Sequence, residues 1–222
     1  MNSTDSALHD AKMSTLNQIG EYRLIPVLGE CRAQYADLLV TALHTANLPL
    51  IEITQREPEA LELLQMMAAE TDLIVGAGTI INVAQAKACF EAGAQFLVSP
   101  GVSPDIMRFG REKNLTVIPG IATASDILRA LECGVSTLKF FPAGFLGGPA
   151  GLRAMSSVFP DVSFIPTGGV TMANLNDYLA IQSVLAIGGT WMFPSELLRS
   201  GDTESISELL AVARAQAARL FS

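Results

Sequence analysis

One lysine interrupts a short apolar run of this chain. Lys139 lies within Leu138-Lys139-Phe140-Phe141-Pro142, where the other residues are typical of a buried strand. Burial of an ammonium group is costly, and loss of its proton leaves a nucleophilic amine that can attack a carbonyl carbon to form a Schiff base. A strand end from which the charged group reaches water is the alternative for this position.

A carboxyl group and a guanidinium group occur together at the end of another apolar run. Glu52 and Thr54 alternate with two isoleucines, so they share one face of a strand, as Lys139 and Phe141 do on theirs. If both faces point into one interior, an acid and an amine meet there. Arg56 follows Glu52 by four residues and could bind a carboxylate through two parallel N–H bonds. A solvated surface position is the alternative for Glu52 and for Arg56.

The elements that must position these residues alternate along the chain. Eight apolar runs predict strands, at Leu24–Leu28, Pro49–Thr54, Leu73–Gly76, Gln95–Ser99, Thr116–Pro119, Thr137–Phe141, Ser163–Pro166 and Val184–Ile187. Amphipathic helices are predicted between and after them, at Ala33–Ala46, Pro58–Glu70, Val83–Glu91, Pro104–Glu112, Ser125–Glu132, Leu152–Phe159, Ala173–Ala180 and Ser205–Phe221. Eight repeated βα units predict an α/β protein whose parallel sheet closes into a (β/α)8 TIM barrel.

The two ends of the chain lie outside this repeat. Residues 1–9 are polar and predict a flexible tail, and Ala11–Glu21 predicts an extra N-terminal helix over the barrel floor. No internal linker is evident, so residues 10–222 are expected to form a single barrel domain. The sequence shows neither a signal-peptide pattern nor an apolar stretch of membrane-spanning length, which favours a cytoplasmic location without a membrane partner.

Composition excludes several classes of function. Half of the 222 residues are hydrophobic and 16% are charged, so a large core is expected. The net charge of −8 argues against nucleic acid as a partner, whereas an anionic small molecule could still be held by local donors. The three cysteines, Cys31, Cys89 and Cys133, have no metal-ligand spacing and are expected to be reduced thiols, with no metal site.

Three glycine-rich segments could bind an anion through backbone N–H groups. They are Gly76-Ala77-Gly78-Thr79, Thr167-Gly168-Gly169 and Gly188-Gly189-Thr190-Trp191. In barrels of this class, the loops after strands seven and eight commonly hold phosphate. Plain turn geometry is the alternative for any one of them. The occurrence of two such loops after the last two predicted strands therefore predicts a phosphate site.

These motifs resemble the class I aldolase family that contains 2-keto-3-deoxy-6-phosphogluconate (KDPG) aldolase and 4-hydroxy-2-oxoglutarate (KHG) aldolase. The similarity runs in order from about Ile25 to Pro194. It rests on Ile25-Pro26-Val27, Ile51-Glu52-Ile53-Thr54-Gln55-Arg56, Gly76-Ala77-Gly78-Thr79, Ser99-Pro100-Gly101, Ile118-Pro119-Gly120, Leu138-Lys139-Phe140-Phe141-Pro142-Ala143, Pro166-Thr167-Gly168-Gly169 and Gly188-Gly189-Thr190-Trp191-Met192.

The resemblance implies a role for each candidate residue. Lys139 would form the Schiff base, Glu52 would transfer protons, and Arg56 with Thr79 would bind the substrate carboxylate. Four residues would surround the phosphate: Gly168, Gly169, Gly189 and Thr190. Four more are expected to line the pocket: Thr54, Pro100, Phe141 and Thr167.

The same resemblance implies an activity. The enzyme would cleave KDPG to pyruvate and glyceraldehyde 3-phosphate, as relatives do in the Entner–Doudoroff pathway, with KHG as a second substrate that yields pyruvate and glyoxylate. It would be a homotrimer that needs no metal and no cofactor. Two alternatives are a galactose-series 2-keto-3-deoxy-6-phosphogalactonate aldolase and a non-catalytic barrel that binds phosphorylated sugars.

The chain departs from the family pattern at its predicted mouth. Gly144-Phe145-Leu146 follows Ala143, where relatives usually have an acidic residue, and Gly147-Gly148-Pro149-Ala150 lacks the lysine that many carry. Both departures remove charge from the loop after strand six and leave the specificity for the distal end of the substrate open. Glu30 and Arg32 stand where relatives are often apolar, either as further substrate contacts or as solvated charges.

Overall fold

Eight parallel strands form one sheet in the computed structural model, which describes residues 15–218. The strands are β1 Leu24–Leu28, β2 Leu50–Thr54, β3 Ile74–Gly78, β4 Phe96–Ser99, β5 Thr116–Ile121, β6 Thr137–Phe140, β7 Ser163–Pro166 and β8 Ile187–Gly189. Strands β1 to β7 pair in the order in which they occur in the sequence, and β1 also pairs with β8. Bridges from Phe164 to Val184 and from Thr167 to Gly188 join the remaining edges, so the sheet closes into the predicted (β/α)8 barrel.

Helices surround this barrel and extend the chain at both ends. Residues 15–22 are helical and form α1. The other helices are α2 Ala36–Thr45, α3 Ala60–Ala68, α4 Val83–Glu91, α5 Pro104–Glu112, α6 Ala124–Glu132, α7 Gly148–Val158, α8 Leu175–Leu179, α9 Ser195–Ser200 and α10 Thr203–Ala218, with a 3-10 turn at Ala33–Tyr35. In the part of the chain that the structure describes, no helix has the length and apolar character needed to cross a membrane.

Side chains of each strand alternate between two cores. One core fills the barrel interior, and Ile19 of α1 is fully buried against it, as expected for a helix that covers the floor. The other core lies between the sheet and the outer helices. On β2, Ile51 and Ile53 face the helices while Leu50 belongs to the interior. Because side chains alternate along a strand, Glu52 shares the interior face with Leu50.

Several predicted boundaries were wrong. β8 is shorter than predicted and lies further along the chain, at Ile187–Gly189 instead of Val184–Ile187, because its glycines resemble a loop in sequence. α7 begins at Gly148 instead of Leu152. Pro149 suits the first turn of a helix, and the left-handed Gly147 (φ 89°) turns the chain into it. The short α9 was not predicted.

Residues 1–14 and 219–222 lie outside the described residues. They include the predicted tail and part of both predicted terminal helices.

All three cysteines are free thiols, and two of them are buried in the outer core. Burial raises the pKa of Cys31 and of Cys89 to about 11, so their thiolate forms are scarce at neutral pH. Cys133 is only half-buried.

We expect iodoacetamide to alkylate Cys133 in the native protein and all three cysteines in urea, as measured by peptide mass spectrometry. Native labelling of Cys31 or Cys89 as fast as that of Cys133 would contradict this packing.

Candidate active site

The amine of Lys139 meets the carboxyl group of Glu52 inside the barrel. Lys139 Nζ on β6 lies 3.3 Å from Glu52 Oε1 on β2, although 87 positions separate the two residues in sequence. Lys139 exposes 9% of its surface and Glu52 only 2%. The lysine is therefore not a strand-end residue that extends into bulk water. An unprotonated amine at this position is a nucleophile with a proton-transfer group in direct contact.

A missing side chain on β3 makes room for the carboxyl group. Gly78 pairs with Thr54 across the β2–β3 ladder, and a methyl group at Gly78 would overlap the Glu52 carboxylate. The sequence had suggested a glycine-rich anion loop here. Instead, Gly76 and Gly78 both belong to β3, and Gly76 accommodates the ring of Phe96. Their contribution is therefore steric, and only the three-dimensional packing reveals it.

Arg56 folds back over the end of its own strand. Its Nε and one terminal nitrogen donate to Thr54 Oγ1, each at 3.4 Å, and the Thr54 hydroxyl donates to the carbonyl oxygen of Leu28 at 2.9 Å. Thr79 follows β3 with a left-handed backbone, φ 61°, which is costly for a β-branched residue. Both side chains line the same cavity as Lys139. The arrangement offers a charged group and a hydroxyl to a carboxylate beside the amine.

The cavity that contains these groups has a volume of about 310 Å³. It is lined by all the candidate site residues except Glu52, namely Thr54, Arg56, Thr79, Pro100, Lys139, Phe141, Thr167, Gly168, Gly169, Gly189 and Thr190. Glu52 does not line the cavity itself, but it contacts Lys139, which does. Val27 and Val170 also line it and were not predicted, although alternation along β1 places Val27 on the interior face. Lys139 Nζ lies 5.4 Å from the ring centroid of Phe141.

A larger cavity, about 880 Å³, lies at the opposite end of the barrel between α1, α2 and α10. It contains none of the candidate residues. We therefore place the chemistry at the carboxyl ends of the strands, where barrel enzymes carry their active sites.

The far side of the 310 Å³ cavity is formed by backbone. Gly168 and Gly169 follow β7 with left-handed φ angles of 83° and 82°, which glycine adopts without strain. Gly189 and Thr190 come from the end of β8 and the loop after it. None of these four residues carries a charge. An anion bound here would meet N–H and hydroxyl donors rather than a cationic side chain.

Neither charged residue of the loop after β1 lines this cavity. Glu30 accepts hydrogen bonds from Arg199 Nε at 3.1 Å and from a terminal nitrogen at 2.9 Å, and these bonds lower the pKa of Glu30 to about 2. Arg32 lies 3.7 Å from the carboxylates of Glu57 and Glu59. Glu30 therefore connects the loop after β1 to α9, and Arg32 connects it to the segment at the start of α3.

Comparisons with known proteins agree with this geometry. The family model for KDPG and KHG aldolase matches residues 16–209. A 2-dehydro-3-deoxy-phosphogluconate aldolase of Treponema pallidum is 42% identical over 188 residues, which cover 84% of this chain and 90% of that protein. The chain belongs to the KDPG and KHG aldolase family.

Two solved members of this family have the same fold. KDPG aldolase from Legionella pneumophila, with pyruvate captured as a covalent carbinolamine, gives a TM-score of 0.86 at 33% identity and covers 90% of this chain and 97% of that one. KDPG aldolase from Zymomonas mobilis ZM4, with 3-phosphoglycerate, gives a TM-score of 0.85 at 34% identity and covers 92% and 95%. The expected family and fold are thereby confirmed.

The close packing of Gly78 against Glu52 predicts that a larger residue at position 78 disturbs the contact between Glu52 and Lys139. In Gly78→Ala the added methyl group would displace the carboxyl group from Lys139, and a displacement of about 1 Å is expected to lower kcat/KM roughly 100-fold. The measurement is aldol cleavage of KDPG, with circular dichroism to verify folding. The matched control is Gly101→Ala, where an added methyl group meets no atom within 4 Å. Equal losses in both variants would contradict a specific role for Gly78.

Proposed function

We propose that this protein cleaves KDPG to pyruvate and glyceraldehyde 3-phosphate through a Schiff base on Lys139, and that KHG is a second substrate. The observation that carries the proposal is the 3.3 Å contact between Lys139 Nζ and Glu52 Oε1 below a cavity that Arg56 lines. A site that only binds a phosphorylated sugar has no need for a buried nucleophile beside a proton donor. The geometry therefore favours catalysis over simple binding.

The first half of the proposed reaction forms the covalent intermediate. Arg56 and Thr79 bind the carboxylate of the 2-keto acid, which places its ketone carbon near Lys139. The neutral amine attacks this carbon and forms a carbinolamine. Glu52 then protonates the hydroxyl group, which leaves as water, and the nitrogen lone pair forms the iminium.

In the second half, the iminium accepts the electron pair of the C3–C4 bond. Glu52, now a carboxylate, removes the proton of the C4 hydroxyl group as this bond breaks, and the aldehyde leaves. The resulting enamine takes a proton at C3 from Glu52, and water then hydrolyses the iminium to release pyruvate and the free amine. One carboxyl group in contact with the reacting nitrogen can serve all of these steps.

The distal phosphate is proposed to lie against Gly168, Gly169, Gly189 and Thr190. Their backbone conformation and their place at the cavity wall support this assignment. The Zymomonas mobilis relative was solved with a phosphorylated three-carbon acid, which is consistent with such a site.

We further propose a metal-independent class I mechanism, a homotrimer and a cytoplasmic location. The mechanism is supported by the buried amine of Lys139 and its contact with Glu52, which supply a nucleophile and a proton-transfer group. Association is supported by exposed apolar side chains such as Phe145 (92% exposed) and Ile81 (63%). The cytoplasmic location remains a prediction.

The Schiff base can be tested directly. Incubation with pyruvate and borohydride is expected to add one reduced pyruvyl group to the peptide that contains Lys139, as measured by mass spectrometry. Lys139→Ala should give no adduct and no KDPG cleavage, whereas Lys87→Ala, at an exposed lysine of α4, should behave as wild type. Treatment with a chelator should leave cleavage intact. An adduct elsewhere, or activity that is lost on chelation, would overturn the mechanism.

The proton-transfer role of Glu52 has its own test. Glu52→Gln keeps the shape of the side chain but cannot exchange a proton with the substrate, so kcat for KDPG cleavage is expected to fall by roughly 10²- to 10⁴-fold. Borohydride trapping of pyruvate should slow but remain on Lys139. A variant with near wild-type kcat would show that another group transfers these protons.

A further inference from the structure

The loop after β7 holds two consecutive peptide groups in a fixed orientation. The carbonyl oxygen of Gly168 accepts a hydrogen bond from the N–H of Gly144 at 2.8 Å, and that of Gly169 accepts one from Asn174 Nδ2 at 3.0 Å. In a trans peptide the C=O and N–H bonds point in opposite directions. The N–H groups of Gly169 and Val170 are therefore directed away from Gly144 and Asn174.

This orientation leaves two donors unpaired on residues of the cavity wall. Gly169 and Val170 line the 310 Å³ cavity, whereas Gly144 and Asn174 do not. Within residues 15–218, no acceptor takes the N–H of Gly169 or of Val170. An anion in the cavity can therefore accept both N–H groups. Neither the family resemblance nor the cavity lining pointed to Asn174.

Asn174 uses both ends of its amide group on the same loop. Its Oδ1 accepts from the N–H of Thr171 at 2.8 Å while its Nδ2 donates to the carbonyl oxygen of Gly169. The side chain thus spans residues 169–171 and fixes the peptide between Gly169 and Val170. Without it, two glycines with left-handed φ angles have many other conformations available.

The segment that carries Asn174 is itself anchored to the outer helices. Gln216 of α10 donates to the carbonyl oxygen of Met172 at 3.1 Å and to Asn176 Oδ1 at 3.2 Å. Gln216 therefore links α10 to the segment that contains Asn174, and Asn174 links this segment to Gly169 without lining the cavity itself.

We propose that Asn174 is a positioning residue for the distal anionic group of the substrate. By binding the carbonyl oxygen of Gly169, it presents the N–H groups of Gly169 and Val170 to the phosphate and thereby sets the preference for phosphorylated over unphosphorylated substrates. This inference rests on the proposed cleavage of KDPG. It concerns only the distal end of the substrate, because the Schiff base forms at Lys139 with groups that Asn174 does not contact.

The test compares two substrates that differ only in the phosphate, KDPG and 2-keto-3-deoxygluconate. In Asn174→Ala we expect kcat/KM for KDPG to fall about tenfold, mainly through KM, as the loss of one or two ordered hydrogen bonds to an anion would give. The value for the unphosphorylated substrate should change less than twofold. Pyruvate trapping on Lys139 should be unchanged.

Two further variants separate positioning from general disruption of the segment. Asn174→Asp keeps the acceptor for Thr171 but loses the donor to Gly169, so it should weaken KDPG binding at least as much as the alanine variant. Thr171→Ala changes an exposed side chain of the same segment, keeps the backbone N–H that donates to Asn174, and should retain the wild-type substrate ratio. Parallel losses on both substrates, or no change in the ratio for either Asn174 variant, would overturn the inference.

Failure of the proposed function would look different. If wild type traps pyruvate but does not cleave KDPG, the proposed substrate is wrong, and binding of inorganic phosphate measured by calorimetry decides about Asn174. Affinity about tenfold weaker in Asn174→Ala than in wild type supports the positioning role. Equal affinity, or no phosphate binding by wild type, overturns it.

Discussion

The contact between Lys139 and Glu52 is the interaction on which the rest of the site depends. Neither side chain could be buried alone without a large desolvation cost, and each makes the burial of the other tolerable. The contact also requires a particular register of β2 and β6. A slip of one residue in either strand would turn its charged group toward the outer helices, so the closed sheet and the chemistry impose the same constraint.

Glycines at several positions of the barrel provide the space that this constraint requires. At Gly78 a missing methyl group provides the space for the carboxyl group of Glu52, and at the far wall two left-handed glycines bring peptide groups to the surface of the cavity. Hydrogen bonds orient the polar side chains of the site. The Thr54 hydroxyl donates to the carbonyl oxygen of Leu28 and accepts a hydrogen bond from Arg56. Thr79 adds local backbone strain, which the surrounding strands must offset.

Much of this could be predicted from sequence because it depends on short-range periodicity. Alternation along two strands predicted which residues share a face with Glu52 and with Lys139, and the repeat of βα units predicted the closed sheet. The boundaries of β8 and α7 were wrong because glycines there serve as strand and as helix start. The contributions of Gly78 and Asn174 depend on approach between segments distant in sequence or on side-chain orientation, and no local pattern reports either.

The two ends of the cavity offer different groups to a ligand, and this difference has a consequence for specificity. At the reacting end, the proposed binding and covalent steps use the side chains of Lys139 and Arg56, so a substitution of either is expected to alter the chemistry itself. At the distal end, the proposed donors are backbone N–H groups, in peptides whose carbonyl oxygens are held by Gly144 and Asn174 from outside the cavity. A substitution in those outer residues can change which aldehyde the enzyme releases while the Schiff base forms as before. In the loop Gly144-Phe145-Leu146, the backbone N–H of Gly144 holds the carbonyl oxygen of Gly168, and none of the three side chains adds a charge to the wall.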